Sequence, residues 1–192
     1  MKELSLHILD IAENAIRANA TRITIAIRED RDRLTFTVED NGCGMDEEAV
    51  RAVTDPFYTT RTTRRVGMGV PLLKLAAEQT GGSLSLTSRP EAKHPNDHGT
   101  KVVATFCRNH MDFVPLGDMV STITALIQGA PGVDLRFSHT WEGGQAALDT
   151  AELRPVLGEE VSLRHYEVIQ WIARQLRQQY GDSDKEANSQ KG

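Results

Sequence analysis

Cysteine is scarce in this chain: Cys43 and Cys107 are the only two among 192 residues. That excludes a disulfide framework and points to a reducing cytoplasm. The sequon at Asn19 carries no meaning in that setting. No run of 18 apolar residues occurs, so no membrane span is expected. The opening MKELSLHILD carries acids early and has no apolar block, so no signal peptide is expected. A basic excess is also missing. Lys+Arg number 22 against 27 Asp+Glu, a net charge of −5, which argues against a nucleic-acid partner. The deficit is local: residues 1–110 hold 15 of each sign, and residues 111–192 hold 7 basic against 12 acidic. The phosphate-loop pattern G-x-x-x-x-G-K-[ST] is absent as well.

What is present suits one globular domain with a small appendage, at 39% hydrophobic and 26% charged residues. Leu4, Ile8, Ile11, Ala12 and Ala15 form an apolar stripe at helical spacing, which predicts a helix over 3–19. Residues 22–28 and 33–39 alternate apolar and polar around an acidic turn, as a hairpin does. A short helix is expected over 46–53, and a loop over 54–69 with Pro56, Gly67, Gly69 and five threonines. A helix over 70–80 ends at Gly81-Gly82. Two strands, 83–88 and 100–107, flank a polar loop. Beyond residue 110 the pattern changes: a helix over 117–128, a hairpin of 133–140 and 145–149, and a helix over 163–180 capped by Ser162. Residues 1–110 and 111–180 therefore read as a main domain and a helix–hairpin–helix subdomain. Residues 181–192 read as a disordered polar tail.

Three segments carry chemistry. Asp40-Asn41-Gly42-Cys43-Gly44-Met45 follows a strand directly. Two glycines remove side-chain bulk beside a carboxylate, so a planar ligand can approach the backbone while Asp40 accepts a hydrogen bond; the exocyclic amine of adenine fits that acceptor. By itself D-N-G is also an ordinary turn sequence. Asp10 and Asn14 share a helix face four residues apart. Asn14 offers a neutral oxygen that suits Mg²⁺, a cation held by few protein ligands plus phosphates and waters, and Asp10 could orient a water. Their alternative is an exposed polar face, the reading preferred for Glu13. Gly67-Met68-Gly69 opens a helix, where free N–H groups and the helix dipole favour an anion. The preceding loop, from Thr59 to Arg65, adds hydroxyls and three guanidinium groups. His94, Asp97 and His98 lack a fourth nearby ligand and are disfavoured as a metal site. His7, a heptad before Asn14, reads as a packing or capping histidine, with a role as phosphoacceptor the alternative. Trp141 and Trp171 read as anchors of the C-terminal subdomain.

In this order, ENAIRANATRITI, DNGCGM, DPFYTTR, GMGVPLLKLAAEQTGGSL and HGTKVVATF resemble the GHKL ATP-binding superfamily. That group holds histidine-kinase catalytic domains, anti-sigma kinases, MutL-type repair proteins, topoisomerase ATPase subunits and large heat-shock chaperones. The resemblance covers about residues 3–107. It implies a Bergerat fold, a two-layer α+β sandwich with helices on one face of a mixed, mostly antiparallel sheet, and ATP and Mg²⁺ as cofactors. By family role, Asn14 would bind Mg²⁺, Asp40 the adenine amine, and Thr100 would support Asp40. Gly42, Gly44 and Met45 would form the adenine-side loop. Phe57, Thr60, Arg61, Gly67, Met68, Gly69 and Val70 would line the lid and phosphates. Asp10 falls where many members carry a water-activating Glu. It is one methylene shorter, which implies slow hydrolysis. Val70-Pro71 also departs from the family pattern, yet Pro is tolerated in a first helical turn.

The resemblance leaves three functions open: a phosphotransferase or signalling kinase acting with a partner protein, an ATP-driven clamp of the MutL or topoisomerase kind, and a nucleotide-binding interaction module without catalysis. The short lid and PFYTTR favour the kinase. The only lysines after residue 110, Lys185 and Lys191, lie in the tail and supply no obvious γ-phosphate contact for a clamp. The Asn14 helix starts within a few residues of Met1, so a phosphoacceptor is expected on another protein. His139 and His165 are the C-terminal candidates, and a structural role is favoured for both. Residues 111–180 are expected to mediate homodimer or partner contacts.

Overall fold

The computed structural model describes residues 3–54, 69–158 and 160–181. Six strands form one sheet: β1 (Arg22–Glu29), β2 (Arg33–Asp40), β3 (Ser83–Arg89), β4 (Gly99–Cys107), β5 (Asp134–Trp141) and β6 (Gly144–Asp149). Their spatial order is β3-β4-β2-β1-β5-β6. Every pairing is antiparallel except β1 with β5, which is parallel. The sheet is therefore mixed and mostly antiparallel, as a Bergerat fold requires. β1 and β2 bury alternate residues: Ile23, Ile25 and Ile27 on one strand, Leu34, Phe36 and Val38 on the other. A period of two places all six on one face.

That face carries the helices α1 (Leu4–Arg17), α3 (Gly69–Gln79), α4 (Met119–Gly129) and α6 (Tyr166–Gln179). α1 packs between α3 and α4, and α4 packs on α6. A short α2 (Glu47–Thr54) packs on α3 and β3, and buries no residue fully. The opposite face of the sheet is rich in Thr and Ser at Thr24, Thr35, Thr37, Ser85, Thr105 and Ser138.

Residues after 110 build into the same sheet. β5 lies beside β1 in register from Arg22↔Asp134 to Arg28↔Thr140, and its Leu135 and Phe137 join the common core. The far end of this seam is closed by His139. Its Nδ1 lies 2.9 Å from the Tyr180 hydroxyl and its Nε2 3.0 Å from Glu29 Oε1. Glu29 also receives Arg108, and Trp141 stacks on Tyr180. The outer edge of β6 is covered at Ala147, whose N–H donates to the Gln179 side-chain oxygen while its carbonyl accepts from the same amide group. That pairing blunts an otherwise open sheet edge.

Two local expectations change. A helix absent from the sequence reading, α5 (Thr150–Leu157), follows β6 directly, with Asp149 accepting the Ala151 N–H. The last helix starts at Tyr166 and not at Leu163. Ser162 does not cap it: its carbonyl accepts the His165 N–H in a turn that sinks Leu163 into the core. Residues 181–192, expected as a tail, lie outside the described residues from 182 onward.

Candidate functional site

The site begins where β2 stops. Asp40 is the last residue of the strand, paired with Ile23 on one side and Thr100 on the other. The chain then turns through Asn41, whose side chain ties it to the start of β1. Its Oδ1 accepts the N–H groups of Thr21 and Arg22 at 2.9 and 2.8 Å, and its amide donates to the Thr21 hydroxyl. Gly42 is buried, and its N–H donates to Asp40 Oδ1 at 2.8 Å. A Cβ at Gly42 would stand 2.8 Å from the Ala18 carbonyl, so a side chain there displaces the helix end. Gly44 has φ +65°, and its Cβ would meet the Arg89 carbonyl oxygen at 2.0 Å.

Asp40 is half-buried, and burial pushes its carboxyl above the usual range. The Gly42 and Thr100 amides oppose that shift as hydrogen-bond donors, and Glu39 adds to it. The carboxylate is thus held by backbone groups in a fixed position. The Thr100 hydroxyl lies 2.8 Å from Ser88 Oγ, and Ser88 accepts the Met45 N–H at 2.8 Å. His98 Nδ1 lies 2.6 Å from the Gly42 carbonyl. Asp97 pairs with Arg89. His98 and Asp97 thereby tie the 94–98 loop to Gly42 and Arg89.

Asp10 lies on the α1 flank that faces α3. A Cβ on Gly69, the first residue of α3, would come within 3.4 Å of Asp10 Oδ2. The N-terminus of α3 thus meets Asp10. Pro71 does not break this helix, and Val70 is buried beneath it. Asn14 is exposed, and its Oδ1 accepts from the Arg17 guanidinium at 2.8 Å. The same guanidinium pairs with Glu13. Asn14 is therefore a solvent-facing oxygen already engaged by a cationic side chain.

The structure brings together Asp40, Gly42, Gly44, Met45 and Thr100, and sets Asp10 against Gly69, with Val70 buried at the next position. Phe57, Thr60, Arg61, Gly67 and Met68, with the expected lid, lie outside the described residues. Sequence reasoning missed Ser88 and Arg17, took Asn41 only as part of the turn, and weighed His98 only as a disfavoured metal ligand. Ser88 sits opposite Thr100 in the β3–β4 register, a long-range pairing that no local pattern reveals. The two buried histidines, His7 and His139, are closed to a phosphoryl donor, while His165 is exposed at the start of α6. His7 Nδ1 has no hydrogen-bond partner among the described residues, and burial lowers its pKa. Trp171 is not a core anchor: it stands 45% exposed.

A mixed sheet with helices on one face, and a strand-end carboxylate braced beside two glycines, define a Bergerat-type domain. The family model described as "Histidine kinase-, DNA gyrase B-, and HSP90-like ATPase" matches residues 2–110, and the chain belongs to that family. It is 30% identical over 86 residues to the sensor histidine kinase CpxA of Escherichia coli K12, covering 42% of this chain and 19% of CpxA. It is 33% identical over 86 residues to the sensor histidine kinase ZraS of Klebsiella oxytoca, covering 43% of this chain and 18% of ZraS. The chain thus spans about a fifth of the length of these relatives. Among solved structures, the Aquifex aeolicus MutL ATPase domain complexed with ADP aligns over 78% of this chain and 63% of its own, with TM-score 0.52 and 17% identity. That likeness speaks to fold alone. The described residues contain no helix long and apolar enough to cross a membrane.

Proposed function

We propose that this protein binds Mg·ATP at the end of β2 and acts as a histidine-kinase-like phosphotransferase or signalling module with a partner protein. The observation that carries the reading is the fixed Asp40 carboxylate, held by the Gly42 amide beside a loop whose glycines admit no side chain. Family membership supports it. In this reading Asp40 accepts the adenine amine, a contact strengthened by the charge on the acceptor. Gly42 and Gly44 leave their backbone clear for the base. Asn14 offers its oxygen to Mg²⁺ once Arg17 leaves it. The α3 N-terminus at Gly69 supplies N–H groups to phosphate oxygens. When bound, Mg·ATP supplies the transferable phosphoryl group. Asp10 holds a water or an acceptor hydroxyl on that side.

Partner dependence rests on two features. Asp10 is short for a general base, and of the histidines named as candidate acceptors His7 and His139 are buried, which leaves only His165 exposed on this chain. We expect isolated turnover well below about 1 s⁻¹, the low end of ordinary enzymes. Steady-state assay of the purified chain with Mg·ATP tests this; turnover above about 1 s⁻¹ points to an autonomous ATPase.

A further inference from the structure

We propose that the groove between α5 and α6 is a docking site for an amphipathic helix of a partner protein that bears a Lys or Arg opposite Glu167. The groove has a volume of about 400 Å³ and is lined by Leu153, Val156, Leu157, Glu167, Val168 and Trp171. It follows from how two helices meet the sheet. α6 turns Ile169, Ile172, Ala173 and Leu176 inward, which leaves Val168 and Trp171 on one flank. α5 sets Leu153 and Leu157 partly inward, which leaves Val156 outward on the flank they share. Val156 is 83% exposed and Trp171 45%, and Tyr166 at the head of α6 is 76% exposed. An exposed apolar trough lined by Trp171 has the composition of an interface. A trough between two helices accepts a third helix through residues spaced i, i+3 or i+4, and i+7.

Charge selects the occupant. Among the described residues Glu167 is the only charged side chain lining the groove, and none of them forms an ion pair with it. A second copy docked groove to groove about a two-fold axis would bring this carboxylate-bearing surface against itself, with no cation lining it to compensate. The chain's own residues 182–192, DSDKEANSQKG, hold Ala187 as their only apolar side chain and have nothing to fill a trough of aliphatic and indole groups. A partner helix with an apolar face and one cation satisfies both requirements. The groove lies outside the 2–110 family match. The inference stands independently of nucleotide binding.

The test uses the full chain without nucleotide and a fluorescent 14-residue amphipathic helical peptide of Leu and Lys, followed by anisotropy. The expected result is saturable binding that Val156→Asp and Trp171→Ala each weaken about tenfold. Glu167→Lys should weaken it about threefold, while Glu142→Lys in the β5–β6 turn leaves it unchanged. Val156 is too exposed for its substitution to unfold the domain. Equal affinity across all variants overturns the proposal, because binding then does not use the groove. Equal weakening by Glu167→Lys and Glu142→Lys overturns it as well, because the peptide then reads only net charge. A dimer in sedimentation velocity that Val156→Asp dissociates also overturns it, since a second copy then fills the groove.

Discussion

Arg17 donates its guanidinium to the side-chain oxygen of Asn14 at 2.8 Å, one turn back on the same helix, and so covers the oxygen proposed for Mg²⁺. The same guanidinium holds Glu13, so its position is fixed from two sides. Arg17→Ala should expose Asn14 and lower the Mg²⁺ level for half-maximal enhancement of ATP binding about threefold, the scale of one exposed hydrogen bond. Asn14→Ala should abolish the enhancement. Calorimetric titrations at several Mg²⁺ levels check both. An unaltered Mg²⁺ dependence in Asn14→Ala removes the metal role.

Ser88 is the residue that locks the adenine-side loop to the sheet, through the Met45 N–H and the Thr100 hydroxyl. Ser88→Ala leaves both without this partner. Thermal unfolding should report a loss of about 1–2 kcal/mol, and ATP affinity should fall with it. Thr87→Ala, one residue earlier and exposed, should be nearly neutral. Equal unfolding temperatures for the two variants would show that the brace does not hold the loop.

Much of this architecture was legible residue by residue. The alternation of Ile23, Ile25 and Ile27 with polar residues fixed the strands, and Gly81-Gly82 marked the end of α3. Two things were not legible. The β1–β5 pairing joins segments more than a hundred residues apart, and periodicity carries no information about which distant strand is the neighbour. The C-terminal residues therefore read as an appendage, although they extend the sheet. α5 was hidden by Pro155 and Gly158, strong breakers that outweighed the i, i+3, i+4 spacing of Leu153, Val156 and Leu157. At the site, Asp40 and its glycines announced themselves through local sequence. Ser88 and His98 did not, because their partners are set by sheet register and loop closure.

Two glycines separate strain from crowding. Gly99 has φ +128°, and a Cβ would lie 1.9 Å from the Asp40 carbonyl oxygen; Gly143 has φ +92° with nothing within 4 Å. Gly143→Ala should cost about 1 kcal/mol, from backbone strain alone. Gly99→Ala should cost more than about 3 kcal/mol, since it also displaces the end of β2. Denaturant unfolding of both variants decides, and equal costs would contradict the close approach at Asp40.

The network at the other end of the sheet predicts an acid dependence. The hydrogen bond from His139, then the charge of Arg108, hold the Glu29 carboxyl below its ordinary 4.5, against the opposing effect of burial. A carboxylate with a depressed folded pKa stabilises the fold above its unfolded value and loses that contribution as pH falls through the folded one. The stability gap between the wild type and Glu29→Gln should therefore be widest above pH 4.5 and close below it. A gap independent of pH would place the role of Glu29 in packing and not in charge.

The central claim concerns Asp40, and calorimetric titration of Mg·ATP into the wild-type chain and Asp40→Asn tests it most directly. The amide keeps the size of the side chain and removes its charge. The account predicts a loss of more than about 1.5 kcal/mol, roughly tenfold in affinity, with the fold intact by circular dichroism. Equal affinity of the two proteins for ATP would contradict the assignment of Asp40 as the adenine acceptor, and with it the nucleotide site at the end of β2.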